Sequence, residues 1–283
     1  MNVVSTDVVT NAVGRVLRGV PIFRPIVLKV MQLSAGSASL SELGSLVQND
    51  PALAIRVLQL ANSALFAKGQ ELRSVRHAVA YIGLGRLRAI AATVGVQDFL
   101  GNGYRADALR PAWQHSLATA LVCKEISLGM AMDTDEAYTA GLLHDVGRLA
   151  PVRTYPGRHE VVAARAESLG LPICECEKEW FHFDHCEAGE WLLREADLPA
   201  ALQAAAARHH HPLAAQVRSL SDLVRLGSVI ADVIGFACHI ADARVSEAAI
   251  AALEPLGASG VHDLVELTRT VWLQLNEMEC YLL

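Results

Sequence analysis

The sequence predicts an all-α fold, and three observations carry that reading. Alanine and leucine dominate a chain that is 52% hydrophobic but only 5% aromatic, which favours helices packed on helices. Helix-start signals recur, because Ser39 with Glu42, Asp133 with Glu136 and Asp184 with Glu187 each form the pattern of a capping box. No run of Val, Ile and Thr alternates with polar residues, and no hairpin turn signal appears.

In chain order, residues 1–19 read as a leading helix with Val8, Val9, Ala12, Val13, Val16 and Leu17 as its apolar positions. Pro21 and Pro25 punctuate the next stretch, and a helical pattern from Ile26 to Leu33 stops in Ser34-Ala35-Gly36-Ser37. Ser39 caps a helix through Leu46 and Val47. At Asp50-Pro51 the carboxylate accepts from free amides while proline suits the first turn, so a helix runs from Ala52 to Ala64. Ser74 to Phe99 is long and helical, with a break or kink near Gly83-Leu84-Gly85. Gly101-Asn102-Gly103 reads as a loop between two lobes, 1–105 and 106–283. A helix from Pro111 to Met130 follows, and Asp133 opens the helix that carries His144-Asp145. Arg153 to Gly157 is a turn, and the helix from Val161 to Leu169 stops at Gly170. Asp184 opens a helix through Trp191 and Leu193, and Leu198-Pro199 starts one that ends at His209-His210-His211-Pro212. Ser219 to Ile240 is long and apolar, and two further helical stretches finish the chain, the last from Val261 to Cys280.

Bulk properties exclude several function classes. With 283 residues the chain has room for one large domain or two smaller ones. Net charge is −6 without a basic block, so nucleic acid is not an expected partner. The longest apolar run, Leu226 to Ala243, is interrupted by Asp232, His239 and Asp242, and fits a buried helix better than a membrane span. Residues Met1 to Asp7 lack a signal core and its positive flank, so the expected location is cytoplasmic. The six cysteines are then expected to be reduced and mostly buried.

The stretch of most chemical interest is Ala140-Gly141-Leu142-Leu143-His144-Asp145-Val146-Gly147-Arg148. A His-Asp pair alone is weak evidence, since His262-Asp263 supplies a second one. The first gains meaning from candidate partners on other helices: His115, His185, His209, His210 and Asp232. Imidazole with carboxylate suits Fe, Mn, Co, Ni or Zn, and a helix bundle can present such groups inward. Several histidines and two aspartates in an apolar bundle are costly to bury unless paired or ligated. Cys174, Cys176, His182, His185 and Cys186 lie close together, but their spacing is poor for zinc and Glu175, Glu177 and Glu179 read as a solvated face. His77, His159 and His239 read as ordinary histidines, and Asn62-Ser63 as a structural hydrogen-bonding element.

His115, then His144-Asp145, then a distant Asp232, resembles the HD superfamily of metal-dependent phosphohydrolases. Two further blocks narrow the resemblance to the HDOD family. One is Phe183 to Leu193, followed by Leu198-Pro199 and His209-His210-His211-Pro212. The other is N-terminal: Leu43 to Val47, Asp50-Pro51-Ala52-Leu53, Leu58 to Ala64, and Ala78 to Gly83 with Arg86-Leu87-Arg88. The resemblance implies a two-lobed bundle with an HDOD-specific first lobe and an HD-type second lobe. It implies a bacterial signalling role exerted through contacts with a partner protein. It also implies a metal set of His115, His144, Asp145, His185, His209, His210 and Asp232, holding two divalent transition-metal ions. Related HD-GYP phosphodiesterases continue past the histidine pair into a Gly-Tyr-Pro stretch, where this chain has His211-Pro212-Leu213-Ala214-Ala215; that departure argues against cyclic-di-GMP hydrolysis. The alternative function is hydrolysis of a nucleotide or phosphoester, with Asp145 bridging the ions. In that case Arg148, near His144, reads either as a phosphate contact or as an exposed helix residue.

Overall fold

A computed structural model of the chain describes residues 13–17, 23–33, 39–63, 72–100, 106–148, 156–214, 216–238 and 264–282. Among these residues the fold is all-α, with no strand. The N-terminal half comprises α1 (Pro25–Gln32), α2 (Leu40–Gln48), α3 (Pro51–Ala61) and the long α4 (Val75–Leu100), against which the first three pack. Ser39 and Glu42 form the expected reciprocal cap on α2, and Asp50 accepts from the Leu53 amide at the start of α3. Asn62 works structurally, as expected: its side chain donates to the carbonyls of Leu58 and Leu72 and accepts from the Leu72 amide. Gly83, at φ 80°, breaks α4 where the glycines predicted a kink.

The second half contains α5 (Ala106–Ser127), α6 (Thr134–Leu143), α7 (Pro156–Leu169), α8 (Ile173–Phe181), α9 (His185–Glu195), α10 (Ala200–Arg208), α11 (Leu220–Ala231) and α12 (Leu264–Leu282). A π-helical turn, Asp232–Phe236, ends α11 at Gly235, whose φ is 102°. The α5–α6 pair is the centre of this half, with α10 and α11 packed on it and α9 on α10. Helix α4 packs on α6 and so joins the two halves. A single apolar core runs from Phe23 to Met278, across the expected lobe boundary. A smaller core gathers Val13 and Leu17 with Val162, Ile173, Phe181, Phe183 and Trp191, so residues 13–17 sit on α7–α9.

Four local expectations are corrected. Helix α5 begins at Ala106, and Pro111 lies inside it, in its second turn, where it supplies no amide to the helix ladder. Helix α6 ends at Leu143, which leaves His144 as its C-cap and Asp145 in the turn before residues 146–148 resume helical form. Pro156 and Gly157, expected in a turn, open α7. Helix α8 was hidden because one position of its buried stripe of Ile173, Cys176, Glu177 and Phe181 is a carboxylate. Gly101-Asn102-Gly103 and His262-Asp263 lie outside the described residues. One described helix, Val75–Phe99, is long and apolar enough to cross a membrane, and 61% of its most apolar window is buried within the protein.

Two glycines set how closely the site-bearing elements approach. A Cβ at Gly141 would meet the backbone of Ala120 on α5, and one at Gly147 would overlap the His185 carbonyl and the Gly189 amide on α9. Substituting Gly147→Ala is expected to cost about 3 kcal/mol in unfolding free energy, since rigid backbone must part. Chemical denaturation of the variant against wild type measures it.

Candidate metal centre

Five helical elements deliver the site. His115 comes from mid-α5, His144 and Asp145 from the end of α6, His185 from the first residue of α9, and His209 from the C-cap of α10. Asp232 follows the last residue of α11. All these side chains are buried.

The hydrogen bonds decide which nitrogen faces inward. His144 Nδ1 lies 2.6 Å from the Gly141 carbonyl, and His209 Nδ1 lies 2.8 Å from that of Ala206. His115 Nδ1 lies 3.0 Å from the Phe236 carbonyl. His185 Nδ1 lies 2.6 Å from Glu177 Oε2, which also accepts from the His185 amide at 2.9 Å. Carbonyl and carboxylate oxygens only accept, so each Nδ1 carries a proton and each Nε2 is turned inward. The inward nitrogens meet in pairs: His115 with His144 at 3.3 Å, and His185 with His209 at 3.2 Å.

Asp145 stands between the pairs. Its Oδ1 lies 3.6 Å from His185 Nε2 and 3.7 Å from His209 Nε2, too far for hydrogen bonds, and no donor satisfies this oxygen. Its Oδ2 forms an ion pair with Arg148 Nε at 2.8 Å, and Arg148 Nη2 is 3.3 Å from His185 Nε2. Ligand atoms of His115, His144 and Asp145 lie within 4.8 Å of one another, and so do those of Asp145, His185 and His209. A carboxylate oxygen without a donor, flanked by inward imidazole nitrogens, is the donor set of a divalent transition metal.

The electrostatics match this picture. Burial pushes His144 down to about 3 and His209 well below the usual range. Burial also acts against protonated His115 and His185, but Asp232 raises the first and Glu177 holds the second well above its ordinary value. Each facing pair therefore contains one raised and one lowered imidazole. Asp145 is held well below the usual carboxylate range: burial opposes this, and Arg148 beside it prevails.

Five of the seven residues expected as ligands thus converge directly. Asp232 approaches from outside, with its Oδ1 3.2 Å from His115 Nδ1. His210 turns elsewhere, into a group with Cys174, His185 and Cys186. Arg148 is only 3% exposed and sits against Asp145, which rules out the exposed-helix reading. Glu177 was read as part of a solvated face; it is buried and orients His185. Ser228, with Oγ 3.3 Å from His115 Nε2, was missed, although it precedes Asp232 by one helical turn.

The comparisons with known proteins bear on the family and the fold. The profile of the HDOD domain matches residues 20–212. The chain belongs to the HDOD family. A candidate phosphohydrolase from Shewanella amazonensis SB2B shares its fold, with a TM-score of 0.73 at 22% identity over 97% of this chain and 98% of that one. A candidate signal-transduction protein from Marinobacter aquaeolei VT8 aligns with a TM-score of 0.68 at 18% identity, covering 98% of this chain and 67% of its own. An uncharacterised protein of Treponema pallidum (strain Nichols) is 25% identical over 178 residues, which is 61% of this HDOD chain. The chain spans about a third of that relative's length, the aligned share being 34%.

Two outcomes follow from the facing imidazoles. An ion binds only neutral imidazole, so calorimetric titration of metal-free protein with Mn(II) in buffers of different ionisation enthalpy should show proton release on binding. His115 and His185 are raised, so protons compete with the ion and binding weakens as pH falls, by up to about tenfold per unit for each proton displaced. Glu177→Gln withdraws the charge that orients His185, and about tenfold weaker metal binding is expected in the same titration.

Proposed function

We propose that this HDOD protein is a metal-centred signalling module that acts through contacts with a partner protein. The observation that carries the reading is the inward set of imidazole nitrogens around an Asp145 oxygen that has no donor. Asp145 lies between two ligand groups, so two divalent ions of the Fe, Mn, Co, Ni or Zn class fit, one with His115 and His144 and the other with His185 and His209. Filled in this way, the ions would tie α5, α6, α9 and α10 together, and a change at the centre would reach every surface those helices form.

The state of Arg148 favours relay over catalysis. A guanidinium that is to bind substrate phosphate must be free to turn to it, whereas this one is buried and paired with Asp145. The second reading, metal-dependent hydrolysis of a nucleotide or phosphoester, rests on the same Asp145. The ions would supply an activated water and charge stabilisation, while Asp145 would hold them and the locked imidazoles would fix their positions.

Metal analysis of purified wild-type protein, with a phosphodiesterase and nucleotidase screen of wild type against Asp145→Ala, separates these readings. Bound transition metal that is lost in Asp145→Ala, without Asp145-dependent turnover, is the expected result. Asp145-dependent turnover would replace the module reading with the hydrolase, and wild type without transition-metal affinity would remove both.

A further inference from the structure

Beside the Asp145 centre lies a second group of ligand-type side chains. Cys174 from α8, His185 and Cys186 from the start of α9, and His210 after α10 have ligand atoms within 4.8 Å of one another. The two sulfurs lie within 4.8 Å of each other, and Cys174 Sγ lies 4.0 Å from His185 Nδ1. The independent observation is His210, whose Nε2 is buried and finds no hydrogen-bond partner. Both sulfurs belong to free cysteines, and Cys174 and His210 are each partly exposed, which leaves a path for an ion to enter.

We propose that Cys174, Cys186 and His210 form a site for a thiophilic divalent ion such as Zn²⁺, with the fourth position left to solvent. Two sulfurs and one imidazole, with water in the fourth position, make a tetrahedral zinc set. Bonds of about 2.0–2.3 Å place such ligand atoms within about 4 Å of each other, so the group closes by small side-chain movements. The spacing in the chain concealed it. Cys176 belongs to the smaller apolar core and His182 caps α8 in a left-handed conformation, so neither joins; His210 arrives from a separate helix. The neighbouring centre offers oxygen and nitrogen, and this group offers sulfur and nitrogen, so the two differ in the metal they prefer. His185 borders both, with its Nδ1 on Glu177 and its Nε2 toward Asp145.

The test is cobalt(II) titration of the reduced full-length chain, followed in the near-ultraviolet for thiolate-to-cobalt charge transfer. Wild type should show the band, and added Zn²⁺ should abolish it. Cys174→Ser and Cys186→Ser should each weaken the binding that gives this band by at least about tenfold, with circular dichroism confirming that the helices are retained. Cys174 is partly exposed, so its variant is the one expected to fold without change. Asp145→Ala should keep the band. Cobalt binding to wild type without charge transfer would overturn the proposal, as would a band that survives both serine substitutions. Loss of metal at the Asp145 centre would leave the band in place, so failure of the functional reading is distinguishable from failure of this one.

Discussion

Two imidazole pairs face each other across a carboxylate that no hydrogen bond satisfies, and the second half of the molecule is built around that contact. Nitrogens at 3.2 and 3.3 Å from one another repel unless a proton or an ion lies between them. The helices leave little room to relax. Gly141 allows α6 to lie on the backbone of α5, and Gly147 allows residues 146–148 to lie on α9. Tight backbone packing thus holds the polar groups close, and their charge must be balanced where they stand. Arg148 provides part of that balance through its ion pair with Asp145.

Much of this was legible in the sequence. Capping signals placed the starts of α2, α6 and α9, because an N-cap acceptor acts over three residues and needs no tertiary context. The order of His115, His144-Asp145 and Asp232 marked the site through its resemblance to the HD superfamily; the apolar pattern alone would not have picked these residues out. What could not be read depended on contacts between distant segments. Glu177 looked solvated because its neighbours Glu175 and Glu179 resemble it, and only the packing of α8 on α9 gives it His185 as a partner. His209 and His210 are adjacent in sequence yet join different groups, a division decided by how α10 ends. The continuity of the core across residue 105 was equally hidden, because it depends on contacts between distant helices.

Arg148 shows how a residue type can mislead. A cation next to a metal ligand invites the idea of a phosphate contact. In this fold the same side chain neutralises Asp145, and burial strengthens that pairing. An incoming ion therefore competes with an internal one, and its affinity depends on how readily the guanidinium gives way.

The inward-facing nitrogens differ in how they respond to mutation. His115, His144 and His209 are oriented by the main-chain carbonyls of Phe236, Gly141 and Ala206. No change of side chain deletes a main-chain acceptor, so these orientations tolerate sequence drift as long as the helices keep their course. His185 relies on the side chain of Glu177, and that acceptor is open to a single codon change. Among homologous chains, the genetic fragility of the centre would then concentrate at position 177, a site that bears no ligand and looks unremarkable in its own segment.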